Sequence, residues 1–213
     1  MTKRLMTGFV LSFLIFIGPV LWNIQALRAP NLWILFAFGI VASLCQPGYN
    51  PFTILAQPGD RGTGAQIIGS VYLTQLGAVL ECVYVRYPGS LQWDATATIA
   101  LGTMIVGLAL RTWAVLTLGR FFTMHMTLQN DQPVIRDGPY RWVRHPSYLG
   151  ASIMYTSTTA FLHAWIAGAA TVIILPMAFT RRMRFEEELL LQRFGQEYES
   201  YRRDVWKVLP GIW

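Results

Sequence analysis

Two groups of polar residues are the part of this sequence best suited to do chemistry. The first lies between residues 138 and 150 and combines arginines, a histidine and tyrosines. The second lies between residues 182 and 188 and combines arginines with three consecutive glutamates. Such groups can exchange protons, orient an anion or bind a charged ligand. Together they indicate a binding or catalytic site, provided that the fold brings them into contact.

The segment between these groups is the element that would bring them into contact. From residue 146 to residue 180 the chain has no Asp, Glu, Lys or Arg. Two helices of roughly 17 residues, rising about 1.5 Å per residue, would cover about 25 Å in each direction. We therefore predict a membrane hairpin of helices at 146–162 and 164–181, with both polar groups at one membrane boundary.

The composition as a whole is that of an integral membrane protein. Of 213 residues, 54% are apolar and 13% are charged, whereas about 25% are charged in soluble domains. A helix needs about 20 apolar residues to cross a membrane, and charge-free runs occur at 5–27, 29–59, 62–80, 95–110 and 146–180. These runs are continuously apolar and do not alternate, which favours helices over a barrel of strands.

The predicted fold is all-α, a polytopic integral membrane bundle of about five to six membrane helices that forms a single domain over 1–213. Before the hairpin, helices are expected at 5–24, 31–46, 65–86 and 94–118. After it, apolar residues recur every three to five positions, which predicts a C-terminal amphipathic helix at 181–205, interrupted by Gly195. Residues 46–64 are rich in Gly, Pro and Gln and predict a turn-rich loop.

The distribution of charge predicts the orientation of the chain. Of the seventeen Lys and Arg residues behind the net charge of +6, eleven lie between Arg120 and Lys207. Basic residues beside membrane helices favour the cytoplasmic face and anionic lipids. Lys3 and Arg4 are expected to hold the N-terminus on the same side, before a first apolar run that is longer than a typical signal sequence and predicts a membrane anchor. Both termini and both polar groups are therefore predicted to be cytoplasmic.

Several other kinds of function are excluded by the same sequence. No soluble basic module is present to bind nucleic acid. The histidines (His125, His145 and His163) and the cysteines (Cys45 and Cys82) have no metal-ligand spacing, so no metal site is expected. Glu81 and Arg86 could simply pair near the opposite membrane surface. Arg111, inside the fourth helix, either extends to the cytoplasmic surface or contacts the site or an anionic lipid.

A series of motifs in a fixed order resembles the isoprenylcysteine carboxyl methyltransferase family. The order is Val134-Ile135, Gly138-Pro139-Tyr140, Arg144-His145-Pro146-Ser147-Tyr148-Leu149-Gly150, the apolar hairpin, Arg182-x-x-x-Glu186-Glu187, and Phe194-Gly195-x-x-Tyr198-x-x-Tyr201. The resemblance covers about residues 118–210, and the preceding residues resemble the family only in being hydrophobic helices. The wider group includes phospholipid N-methyltransferases of membranes.

The resemblance implies a membrane enzyme that uses S-adenosylmethionine, without a Rossmann domain, and releases S-adenosylhomocysteine. N-terminal membrane helices (1–118) would then precede a catalytic region (119–213) with a cytoplasmic cofactor loop. Arg182 matches an arginine acting at the reactive end of the substrate, and Arg144 would be a second catalytic cation. The positions implied for cofactor binding are Gln132, Val134, Ile135, Tyr140, His145, Pro146, Ser147, Tyr148, Glu186 and Glu187.

Several substrates are compatible with this interpretation. The first is the carboxylate of an isoprenylated cysteine or a similar lipophilic acid that enters from the bilayer; a carboxylate is ionised at neutral pH and needs no general base. The alternative amine of phosphatidylethanolamine would need His145 or a glutamate as base, and a lipophilic thiol is a further alternative. A noncatalytic assembly or transport protein, with its charges serving as lipid anchors, is the alternative from another class. The oligomeric state is left open.

Overall fold

The computed structural model describes residues 2–45, 61–123 and 131–211, with side chains from Leu5 onward. Residues 46–60 of the predicted loop at 46–64 and His125 lie outside the described residues, and the last two residues of that loop belong instead to the helix that begins at Thr63. The α-helices are α1 (Thr2–Ser12), α2 (Pro30–Leu44), α3 (Thr63–Leu80), α4 (Ala95–Leu118), α5 (Pro146–Phe161), α6 (Trp165–Phe194) and α7 (Gln196–Asp204). In the described ranges the one β-type pairing is an isolated bridge between Val143 and Trp206.

The all-helical membrane fold predicted from composition is confirmed. Among the described residues, three helices are long and apolar enough to cross a membrane: Thr63–Val85, Ala95–Phe121 and Trp165–Phe194. The first consists of α3 and the π-helical turn Glu81–Val85, and the second of α4 and the 3₁₀ turn Gly119–Phe121. The third is α6 alone. Two further apolar helices, Leu5–Val20 and Pro30–Leu44, are shorter. The predicted hairpin is present as α5 and α6, joined by a short turn around His163.

The predicted boundary between the last membrane helix and an amphipathic helix is wrong. No break occurs near residue 181, because α6 continues from Trp165 to Phe194 as one helix. The break falls at Gly195, whose φ of +53° lies in the region that favours glycine. The short helix α7 begins at the next residue. The chemistry-bearing residues of 182–188 are therefore held on the same rigid helix that forms the second arm of the hairpin.

The first arm of the hairpin is fixed by its contact with α4. Gly107 on α4 and Gly150 on α5 face each other, and a Cβ added at Gly150 would lie 2.7 Å from the carbonyl oxygen of Gly107 and from the backbone nitrogen of Arg111. The two backbones therefore touch, as small residues allow in membrane helices. This contact brings the α4 turn that carries Arg111 against the first turn of α5.

The end of the hairpin farthest from the predicted site is anchored by Glu81. Its carboxylate accepts hydrogen bonds from the backbone N–H groups of Ile166 (3.1 Å) and Ala167 (2.8 Å) at the start of α6. It also pairs with Arg86 at 2.6 Å, as its sequence position suggested. A carboxylate at a helix N-terminus satisfies amide groups that have no partner within the helix. Glu81 therefore fixes where the second arm begins.

Candidate active site

The hairpin brings the two polar groups into direct contact at one end of the bundle. His145, just before α5, has its Nε2 atom 3.0 Å from Oε1 of Glu187 and its Nδ1 atom 3.7 Å from Oε2 of Glu186. The hydroxyl of Tyr148 donates to Oε1 of Glu186 at 2.5 Å. Residues about forty positions apart in sequence thus form one cluster, as the charge-free hairpin predicted.

This cluster borders a cavity of about 270 Å³. Its polar end contains side chains from α4, α5 and α6, and its other walls are formed by apolar residues of α3, the end of α4 and the segment after residue 131. All of the predicted site residues line it except Pro146 and Glu187. The lining residues that the sequence did not single out for a site role include Gly64, Ile67, Ile68, Val71, Leu118, Phe121, Phe122, Ala151, Tyr155, Phe179, Leu189 and Leu190.

Arg182 is the most enclosed cation of the cavity. Its side chain is buried, with the residue 4% exposed. Its Nε atom donates to Oε1 of Glu186 at 3.0 Å, and one terminal nitrogen donates to the hydroxyl of Thr63 at 3.0 Å. Guanidinium groups hold carboxylates through paired, charge-assisted hydrogen bonds. A buried arginine with a fixed orientation at the cavity wall can therefore position an anionic ligand group.

Arg144, which lines the cavity, forms a buried cluster with Glu187, which does not. The Nε atom of Arg144 donates to Oε1 of Glu187 at 3.0 Å, and a terminal nitrogen donates to the carbonyls of Arg202 and Val205. Lys207 lies 3.6 Å from the other oxygen of Glu187. These bonds engage both groups with other parts of the protein. The geometry therefore favours a positioning role for the pair over direct contact with a ligand.

The chain after α7 returns to the site and was missed by the sequence analysis. The backbone N–H of Arg144 donates to the carbonyl of Trp206 at 2.8 Å, and that of His145 donates to the carbonyl of Lys207 at 3.1 Å. This pairing fixes the backbone immediately before α5, where His145 must be placed. The sequence signal was weak, since a lone basic residue near the C-terminus resembles any other residue of a basic face.

Arg111 belongs to the site, which resolves the alternatives left open by its sequence. It lines the cavity, and a terminal nitrogen donates to the carbonyl oxygen (3.1 Å) and the hydroxyl (3.0 Å) of Ser147. Thr63 also belongs to the site, through Arg182. Only the cost of an arginine within an apolar helix could have indicated Arg111 from sequence, and nothing in the local sequence indicated Thr63.

Tyrosines close the cavity on the side of α7. The hydroxyl of Tyr201 donates to the carbonyl of Tyr140 at 2.7 Å, which joins α7 to the loop before α5. Burial raises the pKa of both Tyr140 and Tyr201 well above the usual value of a phenol. Both hydroxyls therefore stay protonated near neutral pH, so the two side chains form flat walls of the cavity and do not act as bases.

The buried Glu187 cluster gives a prediction for stability. Glu187→Gln removes the charge that pairs with Arg144 and Lys207, so two buried cations lose their counter-ion. Breaking one buried pair typically costs about 3 to 5 kcal/mol, and we expect a comparable loss of unfolding free energy, measured by thermal unfolding in detergent. Glu188→Gln is the matched control, because the Glu188 side chain is 55% exposed and pairs with Arg61 at 3.6 Å. Equal melting temperatures for the two variants would contradict the assignment.

Comparison with solved structures identifies the fold. The chain is similar to a structure of the eukaryotic intramembrane Ras methyltransferase, isoprenylcysteine carboxyl methyltransferase, with a TM-score of 0.54, covering 99% of this chain and 97% of that one. Sequence identity in this comparison is 21%. The likeness therefore shows a common all-helical membrane fold.

Comparison with sequences identifies the family. The model of the isoprenylcysteine carboxyl methyltransferase family matches residues 99–192. Protein-S-isoprenylcysteine O-methyltransferase B of Arabidopsis thaliana is 32% identical over 144 residues, which cover 66% of this chain and 73% of that protein. The corresponding protein of Tribolium castaneum is 29% identical over 209 residues, covering 92% of this chain and 74% of that protein. The chain belongs to the isoprenylcysteine carboxyl methyltransferase family of membrane methyltransferases.

Proposed function

We propose that this protein transfers a methyl group from S-adenosylmethionine to the carboxylate of an isoprenylated cysteine held at the membrane boundary. The relatives reported above are named protein-S-isoprenylcysteine O-methyltransferases, after this reaction. The observation that supports it most directly is the buried guanidinium of Arg182 at the polar end of a cavity that has apolar walls beyond that end. A lipophilic acid needs that combination, a fixed cation for its carboxylate and an apolar surface for its chain.

The donor and acceptor groups of the cavity fit S-adenosylmethionine. This cofactor presents an ammonium group, a carboxylate, a ribose diol and an adenine ring, which require acceptors, cations and flat apolar faces. Glu186 supplies an acceptor, Arg111 supplies a cation, and Tyr140 and Tyr148 supply faces, all along one cavity. We assign Oε2 of Glu186 to the cofactor, because Tyr148 and Arg182 both donate to Oε1.

When bound, the cofactor supplies an activated methyl group for an in-line displacement. The task of the protein is then to hold the acceptor oxygen in line with that methyl group and to keep water out. We assign the first task to Arg182, whose orientation is held by Glu186 and Thr63. We assign Arg144 and Glu187 to the placement of His145, in place of the direct catalytic or cofactor contacts implied by the family resemblance.

The arrangement supports a carboxylate acceptor over an amine. An amine must lose a proton before it can accept a methyl group. Of the candidate bases at the cavity, His145 has its Nε2 atom engaged with Glu187, and Glu186 is the residue that we assign to the cofactor. A carboxylate is ionised at neutral pH and needs only orientation.

The site lies at the end of the bundle that carries most of the basic side chains, so we propose that the cofactor enters from the cytoplasm.

Two measurements on detergent-solubilised protein test this function. Titration calorimetry should show binding of S-adenosylhomocysteine, and the Glu186→Ala variant should bind it at least about tenfold more weakly, because one charge-assisted hydrogen bond contributes roughly 1.5 to 3 kcal/mol. Labelled methyl groups should appear on a prenylcysteine analogue in a base-labile ester. Glu188→Gln serves as the control for both measurements, since its side chain lies on the exposed surface of α6.

Three results would contradict the proposal in different ways. A folded protein that does not bind S-adenosylhomocysteine would exclude the cofactor. Base-stable methyl groups on phosphatidylethanolamine would show an amine acceptor. Binding that is equally strong in wild type and in Glu186→Ala would exclude the assigned contact while leaving the reaction in place.

A further inference from the structure

A second cavity lies next to the first, separated from it by two side chains. It has a volume of about 130 Å³ and is lined by residues of α1 and the turn after it, α2, α3 and α5. Val71 of α3 and Tyr155 of α5 line both cavities. Tyr155 also packs against both of the apolar clusters on either side of it, one centred on Phe179 and one on Met154. These two side chains therefore form a wall between the cavities.

The two cavities follow one another along the same pair of helices. On α3, Gly64, Ile67 and Ile68 line the first cavity, and Tyr72 and Gln75 line the second. On α5 the order is the same, with Ser147 and Ala151 before the wall and Met154 and Thr158 beyond it. Thr63, which holds Arg182, precedes Val71 by about two helical turns, or roughly 12 Å. An apolar chain attached to an acid at Arg182 would therefore run along α3 and α5 toward the wall.

We infer that Val71 and Tyr155 set the length of the prenyl chain that the site accepts, by closing the apolar end of the first cavity. This inference rests on the proposed function and assigns its specificity. A chain bound in the first cavity cannot extend into the second cavity while these two side chains lie between them. A dry apolar cavity of roughly 150 Å³ holds a benzene ring, so 130 Å³ is enough for about one additional isoprene unit.

The wall is fixed in place from the second cavity. The side-chain amide nitrogen of Gln75 donates to the carbonyl of Tyr155 at 3.4 Å, which links α3 to α5 at this level. This bond holds the backbone at Tyr155 against α3 and so keeps the wall in place.

The test removes the wall and then fills the space behind it. Tyr155→Ala joins the two cavities, and the acceptors N-acetyl-S-farnesylcysteine and N-acetyl-S-geranylgeranylcysteine differ by one isoprene unit. We expect the ratio of kcat/KM for the longer acceptor over the shorter one to rise about tenfold, since even one methylene group in an apolar pocket is worth roughly 10-fold or more. Val71→Ala should change the ratio in the same direction by a smaller factor.

A filling substitution provides the matched control. Ala42 lines the second cavity and not the first, so Ala42→Leu alone should leave the ratio unchanged. Combined with Tyr155→Ala, it should return the ratio toward that of wild type. Melting temperatures in detergent identify any variant that does not fold. A folded Tyr155→Ala variant that affects both acceptors equally, or a double variant that keeps the altered ratio, would overturn the inference.

A binding measurement separates this inference from the proposed reaction. The dissociation constants of the same two prenylcysteines, measured by competition against a fluorescent prenyl analogue, should change in the same ratio as kcat/KM. If wild type binds both compounds and methylates neither, the proposed reaction fails while the binding ratios of the variants still decide the role of the wall. If the wild-type site binds neither compound, both proposals are wrong.

Discussion

Replacing Arg182 by alanine is expected to lower methyl transfer by about 10² to 10³-fold, the usual loss on removing one group that orients or stabilises a reacting oxygen. S-adenosylhomocysteine affinity should change by no more than a few-fold. The reason is that Glu186, the proposed cofactor contact, keeps its hydrogen bond from Tyr148 at 2.5 Å when the guanidinium is gone. Turnover measured with saturating cofactor, beside calorimetric affinity, separates the two effects.

Two further variants sharpen this expectation. Arg182→Lys keeps the charge and loses the planar fork that holds Glu186 and Thr63, so activity should fall almost as far as in the alanine variant. Arg181→Ala is the matched control on the neighbouring position of α6, because Arg181 is bound outside the cavity by Gln66 at 2.6 Å and by the carbonyl of Arg61 at 2.7 Å. A large loss of cofactor affinity with little loss of turnover in Arg182→Ala would reverse the proposed roles.

The contacts of the site that could be predicted from sequence are those between the two ends of the hairpin. Charged residues are expensive in lipid, so a long uncharged stretch with charged groups at both ends restricts the chain to few arrangements. The contacts between His145 and Glu187 and between Tyr148 and Glu186 are the outcome. The same residues, together with the turn Gly138-Pro139-Tyr140 before them, are the motifs on which the family resemblance was based. The all-helical fold and the meeting of the two polar groups were therefore predictable from sequence.

The residues that escaped sequence analysis are those joined to the site by contacts over long distances in the chain. Thr63 meets Arg182 at a separation of 119 residues, and Lys207 reaches Glu187 from the C-terminal segment. No local pattern records such pairings, because they depend on how whole helices pack. The boundary of α6 was misplaced for a related reason: a change from apolar to amphipathic composition does not interrupt a helix, whereas Gly195 with φ of +53° does.

The roles of charged groups also needed three-dimensional information. Arg144 and Arg182 are equivalent as residue types, and both line the cavity. Arg144 is engaged by Glu187 and by two backbone carbonyls, whereas Arg182 is oriented by Glu186 and Thr63 at the cavity wall. The difference lies in the partners that packing supplies, and it decides which arginine is proposed to touch the substrate.

The close contact between α4 and α5 leads to the second large expected effect. Gly150 belongs to the motif around His145, and the structure supplies a steric reason for glycine there. A Cβ at this position would lie 2.7 Å from two backbone atoms of α4 and 2.9 Å from the Cβ of Arg111. Backbone atoms cannot move aside as flexible side chains do. Gly150→Ala should therefore separate the helices and cost about 3 kcal/mol or more of unfolding free energy, at the upper end of the usual cost of overpacking.

The same separation should affect the site, because the α4 turn beyond Gly107 carries Arg111, which holds Ser147 at 3.0 Å. The matched control is Gly102→Ala on the same helix, where an added Cβ would meet no atom within 4 Å. That variant should be neutral or slightly stabilising, since alanine is favoured over glycine in helices by roughly 0.5 to 1 kcal/mol. Thermal unfolding in detergent measures both variants, and S-adenosylhomocysteine affinity measures the consequence for the site. The two substitutions change the unfolding free energy in opposite directions only if the backbones touch at Gly150. A Gly150→Ala protein as stable as Gly102→Ala would therefore contradict this contact. It would mean that α4 and α5 lie farther apart and that Arg111 reaches the cavity in another way.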